Sequence, residues 1–411
     1  MKCRFCDHPL TIKVADLNSS PPSNDFLTVQ QLGEGEMYYP LVTYVCEQCY
    51  LVQLDEFKKA TDIFSQDYVY FSSYSSSWLK HCEQYATKTT ERFGLNEKSL
   101  VIEMASNDGY LLQYFKQKNI PVLGIEPTKG TAEIAMAKGI ETKVEFFGKK
   151  LASTLQSQNI QADLLIGNNV LAHVPDINDF VGGMKLALKP EGVITIEFPH
   201  LLKLMEDGQF DTIYHEHFSY LSFIAVEKIF ASHGLTLFDV DEIPTHGGSL
   251  RIYGQHTEYN AVRPISSNVE ILKAKEIQGR LTDLNYYKEF QFRVNKIKYQ
   301  FLSFLAEERL KSTKIAAYGA AAKGNTFLNY CGIKDDMIDF VVDISPYKQN
   351  KFLPGSHIPV LNEEALKMHK PEYIIILPWN IKQEIKQQLA YVKEWGGKFI
   401  IAIPELQIET A

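Results

Sequence analysis

Four ionisable side chains stand consecutively in the stretch F-D-T-I-Y-H-E-H-F-S-Y at 210–220: Tyr214, His215, Glu216 and His217. A core helix or strand avoids such a crowd, because each group must be desolvated and then given a partner. A site that moves protons uses it. An imidazole titrates near neutral pH, a carboxylate beside it orients it or raises its pKa, and a phenol donates to developing negative charge. The competing reading is a solvated turn whose aromatic rings cover a core edge. If 213–218 were extended, alternation would put Tyr214 and Glu216 on one face and His215 and His217 on the other. A working Glu216–His217 pair therefore predicts a bend. H-x-H also has the form of a two-imidazole metal site, but no clear third ligand stands nearby and open catalytic sites normally hold three.

A second chemical pattern opens the chain. Cys3 and Cys6 form one C-x-x-C, Cys46 and Cys49 another. Two such hairpins converge four thiolates on a tetrahedron that leaves no position for a substrate, so the expected ion is a structural Zn²⁺. The segment between them is rich in Ser, Pro, Asn and Gly and needs such a staple. A redox role is the alternative, though no thioredoxin-like strand precedes either pair. Cys82 and Cys331 lack a partner pattern and read as core thiols. From Tyr68 to Trp78, Ser and Tyr interleave; Tyr70 is a candidate substrate contact, with packing against the next domain as the alternative.

The elements that must position these groups follow in order. Ser99–Met104 is a short apolar strand, A-S-N-D-G a small-residue turn, and Y-L-L-Q-Y-F the start of a helix, which together make a nucleotide-type binding corner. Glu103 closes the strand, Ala105, Ser106, Asn107 and Gly109 form the turn, and neither a G-x-G-x-x-G nor a P-loop Lys is present. The next strand ends in Glu126, placed to accept from ribose hydroxyls. A further strand runs into Asn168 and Asn169, and His173 follows as a substrate contact or a supporting residue. H-G-G-S-L-R then offers His246 and Arg251 to a substrate, or is simply a turn into an edge strand. A charged helical stretch, one helix or a pair, spans about 267–309. A second strand–turn–helix corner, K-I-A-A-Y-G-A-A-A-K-G-N, places Lys323, Gly324 and Asn325 at a helix start suited to an anion. Trp379 reads as a core or base-stacking residue.

With 411 residues and one domain per roughly 150, the chain divides into units at 1–70, 71–255 and 256–411. A net charge of −8 without a basic face excludes a nucleic-acid binder. The N-terminus has no apolar leader and no run approaches the about 18 apolar residues of a membrane span, so a cytoplasmic protein, and a monomer, is expected.

The order of the central corners resembles the S-adenosylmethionine-dependent methyltransferase fold. Taken together, the paired C-x-x-C, E-M-A-S-N-D-G-Y-L-L, G-N-N-V-L-A-H-V-P-D, E-F-P-H, Y-H-E-H-F-S-Y-L-S, H-G-G-S-L-R and A-A-Y-G-A-A-A-K-G-N resemble the deoxysugar C-methyltransferases over essentially the whole chain. The resemblance implies an α/β protein: a small zinc-binding N-terminal domain, a central Rossmann-like S-adenosylmethionine domain, and a Rossmann-like C-terminal domain that helps hold a sugar nucleotide. It implies methyl transfer to carbon 3 of a nucleotide-linked 4-keto-deoxysugar. It also makes His217 the base, with Tyr214 and Glu216 supporting it, and assigns Glu103–Gly109, Glu126 and Asn168–Asn169 to the methyl donor.

Overall fold

The computed structural model describes residues 1–59 and 71–411, so Tyr68 and Tyr70 lie outside the described residues. Three sheets organise those residues. The first is antiparallel, built from Ile12–Ser20, Tyr39–Val45 and Val52–Leu54, and its fourth strand is Ser219–Tyr220, directly after the ionisable cluster. Val52 opposes Tyr220 and Gln53 opposes Ser219. The N-terminal sheet therefore holds one end of the candidate site.

The central sheet has seven strands, in the order Leu235–Ile243, Ser249–His256, Leu188–Pro199, Ala162–Asn168, Val101–Met104, Val122–Ile125 and Thr142–Lys143. All are parallel except Ser249–His256, which runs against both neighbours. The inner strands are apolar on both faces because helices cover both. Ile102, Met104 and Leu165 pack with Leu151, Val181 and Ile229 on one side; Val101, Leu164 and Ile166 pack with Tyr85 and Phe115 on the other. Chain order reverses between Val101–Met104 and Ala162–Asn168. In an open parallel sheet that reversal opens a crevice at the carboxyl ends of the strands, where ligands bind.

The third sheet repeats the device: Ile315–Tyr318 lies between Phe340–Val342 and Tyr373–Ile376, parallel to both, and antiparallel strands close the two edges. The charged helical stretch is a pair, Ser267–Gln278 and Leu284–Leu310. One apolar core runs from Val14 and Leu41 through Phe210, Ile213, Phe290 and Val294 to Ile315 and Val341, so the three units are packed together. Within these charged helices Glu276 is fully buried. Its carboxylate accepts from the backbone N–H of Phe223 (2.6 Å) and Ile224 (2.9 Å) and pairs with the His200 ring (2.7 Å). It satisfies the open donors at the start of helix Phe223–Ser232.

Candidate active site

The ionisable cluster forms a tight turn in which the His217 N–H bonds the Tyr214 carbonyl at 2.9 Å. That bend defeats the alternation of a strand. It sets the Tyr214 hydroxyl 2.8 Å from His217 Nε2, with the rings 4.0 Å apart. His217 Nδ1 faces the Thr212 carbonyl at 2.9 Å. A carbonyl can only accept, so Nδ1 carries the proton and Nε2 keeps a lone pair, which takes the Tyr214 O–H. Burial, and then the adjacent His173, His246 and Lys323, hold the His217 pKa well below its ordinary value, with the Thr212 carbonyl working the other way. His217 Nε2 is thus the ring nitrogen with the accepting lone pair. The His173 ring stands edge-on to it at 4.6 Å and bonds the Glu216 backbone; burial pulls its pKa down to about 4.

Glu216 faces away from His217. Its carboxylate accepts from Asn24 Nδ2 at 2.5 Å, and burial pushes its pKa up to about 7. It ties the turn to the N-terminal segment. His215 is tied the same way, donating to the Pro40 carbonyl at 3.2 Å beside the Tyr39 ring.

The corner after strand Val101–Met104 lies at the switch point of the central sheet. Ala105, Asn107 and Asn169 all have left-handed backbone, at φ 54°, 49° and 54°, a costly conformation for side-chain-bearing residues that gathers at ligand sites. Gly109 has φ 75°, and a Cβ there would fall 2.4 Å from Ile140, so the turn closes onto its neighbour only with glycine. Glu126 accepts from the N–H of Asn107 (2.9 Å) and Thr128 (2.8 Å), which locks the first corner to the second. Glu103 is fully buried at the strand end, its pKa raised by desolvation. Both polar atoms of Asn168 and the Ser106 hydroxyl are buried without a hydrogen-bond partner. Polar atoms arranged this way fit a hydrogen-bonding ligand such as S-adenosylmethionine. Asn169 Nδ2 donates to His246 Nε2 at 3.2 Å, and His246 in turn lies near enough to His217 to act on it electrostatically.

The other predicted substrate contacts separate. Arg251 pairs with the buried Glu197 at 2.7 Å and stacks over the Tyr85 ring, so its charge is already matched inside the core. Burial raises the Glu197 pKa, but the His81 hydrogen bond and the Arg251 charge outweigh it and leave it below the usual value. Gly324 packs on Leu377, where a Cβ would lie 2.8 Å away, and Asn325 is buried against Ser23 and Asn329. Only Lys323 of that trio is turned toward the base cluster: it bonds Asn380 Oδ1 at 2.6 Å and acts electrostatically on His217, His246 and Asp211.

At the N-terminus, the sulfurs of Cys3, Cys6, Cys46 and Cys49 all lie within 4.8 Å of one another, with Cys3–Cys49 at 3.6 Å and Cys6–Cys46 at 3.5 Å. A Zn–S bond of about 2.3 Å puts tetrahedral sulfurs about 3.8 Å apart, so the cluster fits Zn²⁺. Gln53 Nε2 donates to Cys3 Sγ at 3.2 Å. Cys82 and Cys331 are buried.

Sequence reasoning missed Asn24, Thr212, Asp211 and Trp78. Asn24 and Thr212 act through chain folding that brings distant or backbone atoms to the turn. Trp78 gave more signal, as one of three tryptophans; its indole stacks on His81 (5.0 Å) and approaches His246 (5.5 Å).

With this geometry in place, three family models match successive stretches of the chain. A zinc binding domain family matches residues 3–64, a methyltransferase domain family 78–240, and the "C-methyltransferase C-terminal domain" family 244–404. The C-methyltransferase NovU of Streptomyces niveus is 33% identical over 411 residues, covering 100% of this chain and 97% of the relative. The chain belongs to the C-methyltransferases. This C-methyltransferase uses S-adenosylmethionine in an α/β methyltransferase unit and carries a zinc-binding four-cysteine cluster. Among solved structures, a Clostridium acetobutylicum S-adenosylmethionine-dependent methyltransferase aligns at TM-score 0.35 and 12% identity, over 43% of this chain and 92% of that one. Magnesium protoporphyrin IX methyltransferase from Synechocystis aligns at 0.34 and 12%, over 43% and 82%.

Proposed function

We propose that this enzyme methylates carbon 3 of a nucleotide-linked 4-keto-deoxysugar, with His217 as the base. The observation that carries this reading is the His217 ring itself: neutral, with its lone pair on Nε2 and a phenol beside it, next to the donor corner. A carbon is not nucleophilic until a proton α to a ketone is removed, so C-methylation needs this pairing of base and enolate stabiliser. Nε2 takes the C3 proton, and the electron pair of that C–H bond becomes the enolate. The Tyr214 hydroxyl, released from Nε2, donates to the enolate oxygen. When bound, S-adenosylmethionine would supply the electrophilic methyl group, its S–CH3 bond breaking as the methyl bonds C3 and the neutral thioether leaving. Asn168, Asn169, Ser106 and Glu126 would hold the donor, and His173 and His246 would flank the reacting carbon. Lys323, with its charge facing the cluster, would take the sugar nucleotide's diphosphate. A cytoplasmic monomer belongs to the same proposal; no described helix is long and apolar enough to cross a membrane.

The test is transfer of a labelled methyl group from S-adenosylmethionine to a panel of nucleotide 4-keto-6-deoxysugars. The expected result is labelled product with at least one of them and a rate for His217→Ala lower by about 10²- to 10⁴-fold. Product formed at an undiminished rate by His217→Ala would remove the base assignment.

A further inference from the structure

We infer that Trp379 and Asp211 form a positioning joint through which the C-terminal unit sets the base, an inference that rests on the His217 reading above. Asp211 lies in the short turn Phe210–Thr212 and is 1% exposed. Its Oδ2 accepts the Trp379 indole N–H at 2.7 Å, a charge-assisted bond between the central and C-terminal units. The next residue is Thr212, whose carbonyl holds the His217 Nδ1 proton and thereby fixes the tautomer. The anchored group is thus one peptide from the atom that decides which ring nitrogen is the base.

The same indole touches the donor side. A Cβ at Gly247 would lie 2.5 Å from the Trp379 ring, and Gly247 adopts φ 88°, so that chain segment closes on the indole only as glycine. Gly247 follows His246, which has φ 54° and bonds Asn169 of the donor corner. Gln209 Nε2 donates to the Gly247 carbonyl at 3.0 Å and ties the two loops together. Trp379 therefore wedges between the segment that carries the base and the segment that meets the donor corner. The Lys323 ammonium lies 5.0 Å over its ring, bonded to Asn380, so the cation facing the cluster is fixed by the same residue. Trp379 touches none of the reacting groups; it positions them.

The experiment uses the zinc-loaded full-length chain labelled with ¹⁵N-histidine, with the His217 ring resonances assigned by their loss in His217→Asn. Trp379→Phe keeps the wedge and removes the N–H; Asp211→Asn keeps the shape and removes the charge. Expected is a ring that changes from Nδ1–H in the wild type to a mixture of tautomers in both variants, with no further change when they are combined, and S-adenosylmethionine affinity within about twofold of wild type by calorimetry. His217 resonances that coincide with wild type in either variant would overturn the joint. Undiminished methyl transfer by His217→Asn would instead overturn the base reading, leaving the ring resonances to decide the joint on their own.

Discussion

At the residue scale, burial moves the ionisable groups around His217 toward their neutral forms: His173 and His246 down to about 4, Asp211 up to about 6, Glu216 up to about 7. Glu216 gives a testable sign. Its folded pKa stands above the unfolded value, so its contribution to stability is present at low pH and is lost as pH rises from about 4.3 to 7. Glu216→Gln should therefore match wild type near pH 4.5 and exceed it at pH 8 by about 3 kcal/mol in urea unfolding. A variant less stable than wild type at pH 8 would show that the carboxylate is held charged by partners. The types and spacing of Tyr214, His215, Glu216 and His217 were legible in the sequence because such density has little structural use. The pairings were not, since Glu216 meets Asn24 and His217 meets Thr212 through a turn that no local rule specifies.

At the element scale, corners do the placing. The strand–turn–helix pattern at Val101–Gln117 was readable from its apolar run and small residues, and so was the second at Ile315–Cys331. Arg251 and Asn325 misled because a charged or amide side chain near a glycine turn looks the same in sequence whether it meets a ligand or a buried partner. Glu276 misled in the opposite sense, as a charge in a charged helix that caps another helix. Glu276→Ala leaves two helix N–H groups and the His200 ring without their buried acceptor. The predicted loss is about 3–5 kcal/mol, read from the urea midpoint; a loss under about 1 kcal/mol would mean that the helix start is solvated.

At the scale of the whole molecule, three sheets meet on one short segment. Residues 210–221 contact the C-terminal unit through Trp379, pair as a strand with the N-terminal sheet, and bond the loop after Ala162–Asn168 through Phe218 N–H to the Ala172 carbonyl. Sequence order could not reveal this, because strand Ser219–Tyr220 pairs with Val52 and Gln53 of the distant N-terminal sheet. The proposed mechanism makes proton removal separable from methyl transfer, since abstraction by His217 precedes any use of the donor. The direct measurement is ¹H NMR of a nucleotide 4-keto-6-deoxysugar in D₂O with enzyme and without S-adenosylmethionine. The account predicts that the C3 proton exchanges, that the rate holds as pH falls through 6.5 because the His217 pKa lies below that value, and that His217→Ala abolishes it. Methyl transfer to a sugar whose C3 proton never exchanges, with a rate indifferent to His217, would contradict it.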